Sequence, residues 1–171
     1  MSNWLKAMNP SSPITTEAEA ERAAKASAIS IFIGVVVGLI SLAWTFANPA
    51  AMQDAMAAAS QGGGNAEATN MALQMGMWLA GALVLVQLIL GFVQWRNPGK
   101  FIAILFLVLL AYGLLSTLAT PLLASSMPNM PNIPVWQLAL SVVVMIIQVV
   151  LHVTGLKGIK QLDRIQMEQS R

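Results

Sequence analysis

Apolar positions in this chain are gathered into four uninterrupted blocks: Ala26 to Ala47, Met71 to Trp95, Phe101 to Ala124 and Val135 to Leu156. None of the blocks contains Asp, Glu, Lys or Arg. A helix rises 1.5 Å per residue, so about 20 residues cross a hydrocarbon core of roughly 30 Å, and each block is long enough to span. A helix buried in a soluble core rarely runs so far without a polar face. The pattern predicts an all-α membrane protein with a four-transmembrane-helix up-down bundle over residues 26–156. A tail and the start of the first helix occupy 1–25, and a second tail occupies 157–171. The first block reads as an uncleaved span: it exceeds a signal-peptide core, Glu17, Glu19 and Glu21 precede it, and no small-residue cleavage site follows.

Between the blocks, charge is distributed unevenly. Lys6, Arg22 and Lys25 precede the first span, Arg96 and Lys100 separate the second and third, and Lys157, Lys160, Arg164 and Arg171 follow the fourth, accounting for all nine basic residues. The other two connections hold only Asp54 and Glu67. By the positive-inside rule both termini are expected in the cytoplasm, in a membrane of the bacterial inner (plasma) type. Trp44, Trp78 and Trp136 fall near the outer ends of their spans and Trp95 near an inner end, where indole rings favour the interface.

Outside the spans the signals are local. Trp4, Leu5 and Met8 form a short apolar segment able to touch a membrane surface. Thr16 and Glu19 have capping-box spacing, which predicts a helix running unbroken into the first span with Glu21 and Lys25 one turn apart. Gly62, Gly63 and Gly64 predict a flexible tether, and Pro128, Pro131 and Pro134 a polyproline-like strut. Pro98 and Gly99 suit a type II turn, which predicts a tight hairpin of spans two and three. After Leu156, the residues Leu156, Ile159, Leu162 and Ile165 recur every third position with Lys157, Lys160 and Arg164 facing elsewhere, the pattern of a basic amphipathic tail that Gly155 and Gly158 could bend.

Lipid provides no hydrophobic drive for helix association, so small and polar residues indicate where spans pack. On span one, Ser27, Ser30, Gly34, Gly38, Ser41 and Thr45 form one stripe around a GxxxG pair. On span two, Ala72, Gly76, Ala80, Gln87, Gly91 and Gln94 share a side with Leu83 as the bulky exception. On span four, Gln137, Ser141, Gln148 and His152 are spaced as one face. The expected packing residues are Ser30, Gly34, Gly38, Ser41, Gly76, Ala80 and Gly91, and the expected polar intramembrane residues are Gln87, Gln94, Gln137, Ser141, Gln148 and His152. Span three is aliphatic or aromatic from Phe101 to Ala111, so its inner half is expected to be the most lipid-exposed. Gln87 lies nine residues before Arg96 and Gln148 nine before Lys157, which puts both amides at one depth and predicts a mutual hydrogen bond.

Composition narrows the chemistry. Hydrophobic residues make up 57% and charged residues 9% of the chain, which excludes an ordinary soluble domain. A net charge of +2 supplies no basic field for nucleic acid. The absence of Cys excludes disulfides and thiolate chemistry, and a lone His with no span carboxylate does not assemble a haem or zinc site within one chain. No cofactor is expected. No nucleophile and base stand within reach of one another, and coupled transport ordinarily needs an intramembrane charge. Two function classes remain. The first is a non-catalytic scaffold acting through helix packing with itself or a partner, with lipid around it. The second is a small permease or lipid-handling protein that uses the Gln and His stripe.

Overall fold

In a computed structural model the described residues are 4–48, 65–124 and 135–170, and all elements among them are helical. They are α1 (Trp4–Ala7), α2 (Glu17–Ala24), α3 (Ala26–Ala47), α4 (Ala66–Arg96), α5 (Lys100–Ala124) and α6 (Val135–Gln169). Four helical stretches, α2 with α3, then α4, α5 and α6, are long and apolar enough to cross a membrane. The glycine tether at 62–64 and the proline strut at 128–134 lie outside the described residues.

Helix ends follow the local chemistry. The Thr16 hydroxyl caps α2 by accepting from the Glu19 N–H at 3.2 Å. Glu19 does not return the bond to Thr16, as a full capping box would; its carboxylate accepts instead from the N–H and hydroxyl of Thr15, both at 2.9 Å, and from Lys6 at 3.1 Å. The junction of α2 and α3 is a single residue, Lys25, which keeps right-handed helical angles while its N–H reaches the Glu21 carbonyl. Its side chain forms the anticipated ion pair with Glu21 at 2.6 Å. Asn65 caps α4 by accepting from the Glu67 N–H at 3.0 Å, so that helix starts well before its apolar block.

α6 has 35 residues, about 52 Å by the helical rise, and thus outruns a membrane by several turns. It is not broken at Gly155 or Gly158. The reason is that neither glycine serves as a hinge: a Cβ on Gly155 would lie 2.6 Å from the Ser27 Cβ, and one on Gly158 would strike the backbone of Ala23 and Ala24. Both glycines bring α6 against the junction of α2 and α3 at backbone distance. The apolar side of the supposed amphipathic tail is consumed in the same contact, with Ile159 only 3% exposed beside Ala24 and Ala103.

α3 lies between α4 and α6, and α5 packs on the other side of α6. Residue pairings run in opposite directions along each contact. Gly38 meets Val84 while Gly91 meets Phe32, and Ser30 meets Gln148 while Ser27 meets Gly155. α4 and α5 scarcely touch, although only Asn97, Pro98 and Gly99 separate them. The expected tight hairpin is therefore a short turn between splayed helices: the turn fixes where the two helices meet, and their side chains find α3 and α6 instead.

Burial is concentrated at the end of the bundle that carries the termini. Ala20, Ala23, Ala24, Ala26, Ser27, Ala28, Ser30, Ile31, Gln94, Ala103, His152, Thr154 and Ile159 are all buried, whereas Trp44, Trp78, Tyr112, Leu122 and Trp136 at the far end are at least 69% exposed. This reverses the reading of span three. The half expected to be inner holds its buried residues, Ala103 and Phe106, and the other half, with Tyr112 and Leu115, is the more exposed.

The N-terminal segment folds back over this end. Trp4 stacks on Trp95 with ring centroids 6.1 Å apart, and the Lys25 ammonium lies 5.6 Å from the same indole. Lys157 donates to the carbonyls of Pro10 and Ser12, and the Thr154 hydroxyl donates to that of Met8. The hydrogen bonds from Thr15, with Lys6 beside them, hold the Glu19 carboxyl down from 4.5 to about 2. A carboxylate with a lowered folded-state pKa stabilises the arm above its ordinary range, and that contribution is lost as pH falls toward 2. Acidifying the protein from pH 5 to 2 is expected to release the arm, seen as a change in tryptophan fluorescence without loss of helical circular dichroism. The change should vanish in Glu19→Gln; a transition that persists in that variant would assign the titration elsewhere.

Candidate functional site

Hydroxyl groups in the exposed halves satisfy themselves. Thr45 donates to the Ser41 carbonyl, Thr117 to Gly113, Thr120 to Ser116 and Ser141 to Gln137, each one turn back on its own helix. Such bonds let Ser and Thr sit in lipid without a partner, so they carry little information about packing. Accordingly Ser41 and Gln137 are exposed, and Ser141 makes no bond to another helix among the described residues. Gly76 is also exposed, and no described atom lies within 4 Å of a Cβ built on it, because α4 has left α3 by that point. These three positions, Ser41, Gly76 and Gln137, do not pack as expected. Ala80 is half-buried.

Toward the terminal end the outcome differs. A Cβ on Gly38 would lie 2.8 Å from Val84, and one on Gly91 would lie 2.9 Å from the Phe32 ring. Gln94 is fully buried. Its Nε2 donates to the Ser27 hydroxyl at 2.7 Å, its Oε1 accepts from the Gly99 N–H at 3.0 Å, and Ser27 passes the chain on to the Ala24 carbonyl at 3.1 Å. This relay ties the α4–α5 turn to the α2–α3 junction. Sequence reasoning registered Gln94 as polar but missed both partners, which lie on other segments.

Deeper in the bundle, Ser30 and Gln148 form a reciprocal pair. The Ser30 hydroxyl donates to the Gln148 carbonyl and Gln148 Nε2 donates to the Ser30 carbonyl, both at 3.0 Å. The expected bond between Gln87 and Gln148 is absent among the described residues. The equal depth is real, however: a Cβ on Gly34 would lie 3.1 Å from Gln148 Nε2 and 3.6 Å from Gln87 Oε1, so both amides flank this one glycine. Gln148 donates to α3 instead, and Gln87 is left without a bonded partner among the described residues.

Around these groups lies a cavity of about 230 Å³. Ser30, Ile31 and Gly34 of α3, Gln87 of α4, Phe106, Leu109, Leu110 and Gly113 of α5, and Met145, Gln148 and His152 of α6 line it. All four long helices contribute, and the side between α4 and α5 is not closed by helix contact. His152 is fully buried and its ring lies nearly parallel to that of Phe106, centroids 6.0 Å apart. Neither His152 Nδ1 nor Nε2 has a hydrogen-bond partner among the described residues. A buried polar group left unpaired is costly, and such groups in native proteins usually have an explanation in bound water or a ligand. Among the described residues no acidic or basic side chain other than this imidazole borders the cavity.

The fold and the site together define an all-helical protein with four helices apolar enough to cross a membrane, and among them a cavity with both polar and apolar walls. Comparison with known protein families, curated proteins and solved structures finds no match.

Proposed function

We propose that this chain is a non-catalytic integral membrane protein, an N-in/C-in up-down bundle, that holds a small membrane-soluble molecule between its helices. The observation carrying this reading is the convergence of Ser30, Gln87, Gln148 and His152, from three helices, on one cavity flanked by two helices that do not pack on each other. The alternative of an assembly scaffold draws less support, because the glycine stripe on which it rests is already covered: Gly34 lies against Gln148 and Gln87, and Gly38 against Val84.

Mass spectrometry of small molecules retained by the detergent-purified protein tests the reading. Gly34→Leu directs a branched side chain between the two amides and should remove the retained molecule while leaving helical content intact. Equal retention by the parent and this variant would exclude the cavity as the binding place. Orientation is tested on the naturally cysteine-free chain: Glu67→Cys should react with an impermeant thiol reagent added to intact cells, and Ser170→Cys should not. The reverse pattern would overturn the N-in/C-in assignment.

A further inference from the structure

The chemistry of the cavity walls specifies more about what they hold, resting on the ligand-binding reading above. A neutral imidazole offers one donor and one acceptor, and a primary amide offers both kinds. His152 has both nitrogens unspent among the described residues and Gln87 makes no bond to any of them, so two side chains with unspent hydrogen-bonding groups border one space. The remaining walls, Ile31, Phe106, Leu109, Leu110 and Met145, are apolar.

Three constraints follow. First, the head bound here is uncharged: among the described residues no Lys or Arg borders the cavity to compensate a phosphate or carboxylate, no Asp or Glu borders it to compensate an amine, and a neutral His152 compensates neither. Second, it is compact. A cavity of about 150 Å³ accommodates benzene, so the 230 Å³ here has room for a substituted single ring and not for a whole lipid. Third, the rest of the molecule is apolar, since the side between α4 and α5 is not closed by helix contact and the outward faces of both helices are apolar, with Leu85, Ile89, Ile104 and Val108 all at least 49% exposed.

We infer that the cavity takes the carbonyl-bearing ring head of a quinone-type amphiphile, with its tail leaving between α4 and α5. The imidazole N–H and the Gln87 amide donate to the ring carbonyls, and the head lies against the apolar wall formed by Phe106, Leu109 and Leu110. Gly34 and Gly113 keep the space open, since larger side chains at these positions would project toward the amides and toward Met145. A neutral acylglycerol offers the same carbonyl chemistry without the flat ring, and the test separates the two.

His152 is the sole histidine, so protein labelled with ¹⁵N only in histidine reports this one imidazole. The full chain in phosphatidylcholine nanodiscs would be titrated with a decyl-substituted benzoquinone, with dioctanoylglycerol, and with decanoate as an anionic control. The benzoquinone is expected to shift both imidazole nitrogens saturably, and decanoate to leave them unmoved. Gln87→Leu, which removes no hydrogen bond to a described residue, should weaken binding about fivefold to tenfold, the loss of roughly one hydrogen bond. Gly34→Leu should abolish the shift in folded protein. A response to dioctanoylglycerol alone would overturn the quinone assignment and leave the ligand-binding reading standing, and an equal response to decanoate would overturn the neutral-head constraint. Silence toward all three, together with no retained molecule in the purified protein, would overturn both.

Discussion

Gly158→Leu is expected to cost this protein 3 kcal/mol or more of stability, the upper part of the range for overpacking a close contact. A Cβ at this position would lie 2.6 Å from the Ala23 carbonyl carbon and 2.8 Å from the Ala23 Cβ, and closer still to the Ala24 nitrogen. Most of these are backbone atoms, which have no rotamer by which to retreat, so α6 and α2 would have to separate. Separation would also strip the cover from Ile159 and from the buried alanines of α2. Titration of the detergent-solubilised protein with dodecyl sulfate, followed by circular dichroism, measures the loss. Gly76→Leu is the matched control: it makes the same change on α4 where no described atom lies within 4 Å, and should move the midpoint little. Equal midpoints for the two variants would mean that the α2–α6 contact does not hold the bundle together.

Gln94→Leu should follow, at about 1 to 3 kcal/mol, the usual cost of stranding buried hydrogen-bonding groups. Leucine fills much of the same volume, so the loss isolates the amide: the Gly99 N–H is left without an acceptor and the Ser27 hydroxyl without a donor. One end of the relay sits where α4 turns into α5, so trypsin should cut after Arg96 and Lys100, which flank that turn, faster in the variant. The comparison is Gln137→Leu, which removes an exposed amide on α6 and is expected to leave stability unchanged or slightly raised. If the two glutamines proved interchangeable in this assay, burial would not be what distinguishes them.

Legibility in the sequence was uneven along each helix. The bounds of α3 coincide with its apolar block, Ala26 to Ala47, and the cap at Thr16 is a local hydrogen bond between residues three apart. The stripe through Ser30, Gly34 and Gly38 does face other helices, and Gln87 with Gln148 shares a depth. The same stripe arithmetic failed at Ser41, Gly76 and Gln137. Periodicity assumes that a helix has one neighbour along its full length, whereas here the helices converge at one end and diverge at the other. It also misjudged Gly155 and Gly158, since a glycine needed for backbone approach and one that weakens a helix look alike until the opposing chain is known.

What the sequence by itself determined is the set of helices long and apolar enough to cross a membrane. A helix in lipid satisfies its own backbone hydrogen bonds, so whether Ala26 to Ala47 crosses depends on that segment alone and not on its neighbours. The partners were decided by tertiary structure. Ser30 bonds Gln148 across 118 residues, Gln94 bonds Ser27 across 67, and Lys157 reaches Pro10 across 147. Each choice depends on how closely two segments approach one another, which neither encodes alone. The cavity is of the same kind: its walls come from four helices, and it exists because α4 and α5 each pack on other helices and so leave the space between them unfilled.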